Sequence, residues 1–127
     1  MAVRVMFVDD EEMNRALLKT QLGLAGFEVT ACADGEQAFS ALDKSSFDLI
    51  VLDVMMPPPD GIEICRRIRK RGVHTPILFL SGWPAVETQA RALAAGGSAF
   101  LARPYRREQL VATLNALLGR STSTQAT

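Results

Sequence analysis

Five short apolar runs alternate with longer amphipathic stretches along this chain, and that alternation restricts the fold more than any other feature. Residues 3–8, 27–33, 48–52, 76–80 and 98–102 read as strands. Residues 12–25 read as a helix: Met13, Leu17, Leu18 and Leu22 recur near helical spacing, and Gly23 and Gly26 loosen its end. Asp34-Gly35-Glu36-Gln37 has the form of a capping box and opens a helix to about Asp43. Asp60-Gly61, most simply a helix-opening turn, precedes Ile62, Ile64, Cys65 and Ile68. A fourth helix covers residues 84–95 and stops at Gly96-Gly97. The last covers residues 106–118, with Leu110, Leu114, Leu117 and Leu118 on one face and Gly119 as its stop. Strands alternating with helices imply an α/β fold, a doubly wound parallel sheet with helices on both faces and right-handed crossovers.

The 127 residues suit one domain, spanning residues 3–119, with a small polar tail at 120–127 that reads as frayed. A chain of that length buries about two-thirds of its unfolded surface, enough for an unaided core. The formal net charge is zero, so nothing global argues for nucleic acid or for an anionic membrane. The basic run Arg66, Arg67, Arg69, Lys70 and Arg71 allows a nucleic-acid patch, but cations favoured by a helix C-terminus are the simpler reading. Cys32 and Cys65 lack metal-ligand spacing and read as reduced, which fits the cytoplasm. Asp9 arrives too soon for a signal-peptide apolar region, and no stretch suits a membrane span. Phe39, Phe47 and Phe79 read as core, and His74 as a solvated loop residue.

Acids close the first and third apolar runs. Asp9 and Asp10 follow Val5-Met6-Phe7-Val8, and Asp53 follows Leu49-Ile50-Val51-Leu52. Ligands of open α/β sheets bind beyond the carboxyl ends of the strands, where the strand order reverses. Asp9, Asp10, Asp53, Ser81 and Arg103 all follow strands and so converge on that edge. Gathering three acids in one crevice is costly, because like charges repel and burial disfavours ionisation. A divalent cation among them offsets that cost. An all-oxygen cage with room for water and phosphate suits Mg²⁺. The pattern therefore points to phosphoryl chemistry, with one acid as acceptor.

Four segments in order carry a family resemblance: Val8-Asp9-Asp10-Glu11; Asp53-Val54-Met55-Met56-Pro57 with Asp60-Gly61; Leu80-Ser81-Gly82; and Phe100-Leu101-Ala102-Arg103-Pro104. Together they resemble the receiver domain of two-component response regulators, over nearly the whole chain. The resemblance implies the flavodoxin-like strand order 2-1-3-4-5. It implies that Asp53 is the phosphoacceptor, attacking a phosphohistidine to become an acyl phosphate. Asp10 is then a direct Mg²⁺ ligand, Asp9 a partner through water, and the Met55 carbonyl a further oxygen. Ser81 takes the hydroxyl position, Phe100 the aromatic switch position, and Pro104 follows a peptide bond that is a cis candidate. The positions two beyond the acceptor and the hydroxyl, which influence acyl-phosphate lifetime in receivers, are Met55 and Trp83. Both also admit a plain packing role.

The implied partners are a histidine kinase or histidine phosphotransfer protein and a downstream protein or effector domain, with a homodimer also open. The implied switching face is helix four, strand five and helix five. The chain is then no enzyme beyond its own phosphorylation and dephosphorylation. It works either in trans as a single-domain regulator or as part of a larger protein. Arg103 stands where the family nearly always has Lys, and arginine is bulkier, planar and always charged. It could preserve the charge, bind phosphate through two hydrogen bonds, or pair with Asp53 at rest and occlude the site. Pro58 and Pro59 stiffen the loop after Asp53, and Gly82 stands where alanine is common. The rival reading is a degenerate receiver acting as an interaction or dimerisation module without phosphorylation. An aspartyl phosphatase of the haloacid dehalogenase type is disfavoured, since it calls for Asp-x-Asp and this chain has adjacent Asp9-Asp10.

Overall fold

The computed structural model describes residues 2–83 and 85–119. Pro84 and the expected tail at 120–127 lie outside the described residues. Strands and helices alternate in the order β1 (Arg4–Val8), α1 (Glu12–Leu24), β2 (Glu28–Cys32), α2 (Gly35–Lys44), β3 (Leu49–Asp53), α3 (Gly61–Lys70), β4 (Ile77–Ser81), α4 (Val86–Ala94), β5 (Ala99–Ala102) and α5 (Arg107–Leu117). The strands form one parallel sheet in the order β2-β1-β3-β4-β5. That order is the one the family resemblance implied. No helix among the described residues is long and apolar enough to cross a membrane.

Continuous apolar strands need cover on both faces, and the period-two alternation of side chains divides the core in two. Met6, Val8, Ile50, Leu52, Ile77 and Phe79 point to a layer with Ala38 of α2, Ile64 and Ile68 of α3 and Ala92 of α4. Val5, Phe7, Leu49, Val51, Leu78 and Leu80 point to the opposite layer, with Leu18 and Leu22 of α1 and Leu110 and Leu114 of α5. The sheet is thus a rigid slab held between two helix layers, and its carboxyl edge is a fixed platform.

β3 and β4 each run one residue past the expected end and take in Asp53 and Ser81. Ladder pairing causes this: Asp53 pairs with Leu80, and Ser81 with Ala102. Two chemically distinctive residues are therefore held by sheet hydrogen bonding rather than by loops.

The cap of α2 differs in one arm from a capping box. Asp34 accepts from the Gln37 amide at 2.9 Å, as that motif requires. The Gln37 side chain, however, accepts from the Ala33 amide at 2.7 Å, one residue before the cap. Asp60 caps α3 by accepting from the Glu63 amide at 2.9 Å. Gly61 has a second duty besides the turn. A Cβ there would run into the Asp53 carbonyl and lie 3.1 Å from the Val54 Cα, so only glycine lets α3 start this close to β3.

The basic run on α3 is largely bound within the chain. Arg66 and Arg67 pair with Glu63, and Arg71 pairs with Asp43 and lies over the Phe39 ring. Arg69 donates to the carbonyls of Gly96, Val73 and Thr75, tying α3 to the loops that lead into β4 and β5.

Candidate functional site

The strand order reverses between β1 and β3, and the acids stand at the carboxyl ends of those two strands. Asp9 continues the ladder past β1, its amide donating to the Cys32 carbonyl at 3.0 Å. Its carboxylate is fully buried. Oδ1 accepts from the Glu11 amide at 2.9 Å; Oδ2 accepts from Asn14 Nδ2 and Arg103 Nη2, both at 3.1 Å. Asp10 is exposed. Asp53, at the end of β3, is buried. Asp9, Asp10 and Asp53 each offer one carboxylate oxygen, and these oxygens lie within 4.8 Å of one another. An all-oxygen donor set with one exposed member fits a hard divalent cation that keeps some of its water.

Burial, and next the charge of Asp9, push the Asp53 carboxyl up to about 6, against the opposing pull of the Arg103 guanidinium and the Met55 amide. Arg103 donates from Nη1 to Asp53 Oδ1 at 2.9 Å while Nη2 holds Asp9. Burial works against the guanidinium's charge, but Asp53 and then Asp9 more than offset it, so Arg103 is firmly protonated. The pairing with Asp53 was one arrangement open to Arg103; the simultaneous hold on Asp9 was not foreseen.

Ser81 is buried at the end of β4, and its hydroxyl accepts from the Trp83 amide at 3.0 Å. The Arg103 amide donates to the Ser81 carbonyl at 2.8 Å, fixing the start of the β5–α5 loop against β4. The Arg103–Pro104 and Pro58–Pro59 peptide bonds are cis. Phe100 is partly buried against the layer under α3 and α4. Met55 and Trp83 are 61% and 69% exposed, so neither side chain belongs to the core.

Sequence reasoning missed three neighbours. Asn14 bridges Asp9 and the Glu11 carboxylate, the second at 2.8 Å, and Arg15 Nη1 donates to the Asp9 carbonyl at 2.9 Å. Both lie in the first turns of α1, and their place just after the acid pair was the available signal. Tyr105 follows the cis proline; burial raises its phenol, which interacts with Arg103.

Residues 5–115 match the family model described as the response regulator receiver domain. The chain belongs to the response regulator receiver family. This receiver is 40% identical over 119 residues to the transcriptional regulatory protein TrcR of Mycobacterium tuberculosis, covering 94% of the chain and 46% of that protein. It is 38% identical to the response regulator MprA of Mycolicibacterium vanbaalenii, covering 96% of the chain and 53% of that protein. The receiver thus spans about half the length of these curated relatives. Among solved structures, the chemotaxis protein CheY4 of Vibrio cholerae superposes with a TM-score of 0.88 at 33% identity, covering 92% of this chain and 99% of that one.

Proposed function

We propose that this receiver takes a phosphoryl group from a phosphohistidine onto Asp53. The observation that carries the reading is the buried Asp53 carboxylate, set at a rigid strand end beside two further acids and under a guanidinium. Phosphoryl transfer is mainly a matter of positioning and charge neutralisation, which such a site supplies. An Asp53 oxygen attacks phosphorus in line. The phosphorus–nitrogen bond breaks, and its electron pair leaves with the imidazole. Asp10, Asp53 and the Met55 carbonyl, with Asp9 through water, would hold a Mg²⁺, which would supply positive charge against the repulsion between carboxylate and phosphate. Arg103 and the Ser81 hydroxyl cover further phosphoryl oxygens. The protein turns over no substrate besides its own acyl phosphate.

Partners follow from the chemistry: a histidine kinase or phosphotransfer protein as donor, and an effector in cis or in trans; the receiver itself would work in the cytoplasm. Phosphorylation shifts a two-state equilibrium in which Ser81 moves to the phosphate, Phe100 turns inward and the face of α4, β5 and α5 changes its partner preference. The test is transfer from a labelled, autophosphorylated histidine kinase. Label should reach the wild type and not Asp53→Asn. A second reading, a degenerate receiver that is not phosphorylated, is favoured by the double hold of Arg103 on Asp9 and Asp53. Label absent from the wild type but present on Arg103→Lys would select it.

A further inference from the structure

Arg103 spans the two buried acids through separate nitrogens, with its side chain only 25% exposed. A lysine ammonium is a compact charge on a flexible stem, whereas a guanidinium is a planar fork that reaches two oxygens at once. Here the oxygens belong to different carboxylates, Asp9 Oδ2 and Asp53 Oδ1. Asp9 Oδ2 also accepts from Asn14, which engages both of its lone pairs, while Oδ1 accepts from Glu11. A cation entering among the three acids therefore meets two carboxylates already held by an internal cation.

We propose that Arg103 is a resident counter-cation that competes with divalent metal for Asp9 and Asp53 and sets the metal concentration at which the site loads. The inference rests on the reading of the three acids as a metal site. Its physical basis is that two positive charges cannot share one carboxylate pair without repelling each other. Release of the guanidinium and entry of the metal are then one exchange. By linkage, whatever draws Arg103 away from Asp9 raises the metal affinity by the same factor.

Calorimetric titration of the whole chain with Mg²⁺, at one pH and ionic strength, separates the outcomes. Arg103→Met keeps an apolar stem and removes the charge; it should bind Mg²⁺ at least about fivefold more tightly than wild type, allowing for screening at a partly open site. Arg103→Lys should fall between them. Equal or weaker binding by both variants overturns the proposal. Thermal unfolding gives an independent reading: Mg²⁺ should raise the melting temperature more in Arg103→Met than in wild type, and an equal or smaller rise overturns the competition. Failure of the underlying reading looks different. If no variant binds Mg²⁺ and none accepts phosphate on Asp53, both ideas fall; a flat affinity series with intact phosphorylation removes this inference alone.

Discussion

At the scale of single residues, Asp53 is tuned by opposing forces, and the result is measurable. Its carboxyl is raised from the ordinary 3.8 to about 6, by burial first and by Asp9 next. The folded state therefore holds a proton that the unfolded state has lost between those values. Stability contributed by the protonated form is fully present below about pH 4 and is lost as pH rises through about 6. In metal-free buffer at pH 8, Asp53→Asn should be more stable than wild type by about 1–2 kcal/mol, since the amide oxygen still accepts from Arg103 and the buried Asp53 charge that repels Asp9 is gone. Urea unfolding at pH 4 and pH 8 checks this; the gap should shrink at the lower pH. Acyl-phosphate lifetime is a second residue-scale matter. Neither Met55 nor the Trp83 indole can accept a hydrogen bond from an attacking water as an amide would. Slow self-dephosphorylation is expected, and Met55→Asn should shorten the lifetime in a timed phosphate-release assay. An equal or longer lifetime would return Met55 to a bystander.

At the scale of elements, the β3–α3 connection does two jobs. Asp60 caps α3, and Gly61 lets the helix start against the backbone of Asp53. Asp60→Ala should cost about 1 kcal/mol of stability and leave Asp53 in place. Gly61→Ala should cost more, about 1–3 kcal/mol, and also slow Asp53 phosphorylation, because relief of the clash must move the acceptor's own carbonyl. Thermal unfolding paired with a phosphorylation rate distinguishes the two. The helix starts at Asp34 and Asp60 were legible because a side-chain acceptor three residues before a helical amide is a local signal. The last residues of β3 and β4 were not, because the pairing of Asp53 with Leu80 and of Ser81 with Ala102 depends on neighbours distant in sequence. The same applies to Arg103. Its sequence position placed it beside Asp53, but its hold on Asp9 spans 94 residues and follows from the reach of a guanidinium fork.

At the scale of the molecule, a sheet buried between two helix layers brings residues from four strand ends to one edge. Five apolar runs were enough to read the α/β class, while the strand order came from resemblance rather than from periodicity. The slab holds Asp53 rigidly and leaves the loops around it to respond. The reading of Asp53 as the phosphoacceptor is tested most directly by intact-protein and peptide mass spectrometry after incubation with acetyl phosphate and Mg²⁺. One acid-labile phosphoryl group should appear, located on Asp53, and Asp53→Asn should gain none. A wild type that binds Mg²⁺ yet gains no phosphate, or a phosphate carried equally by Asp53→Asn, would contradict it.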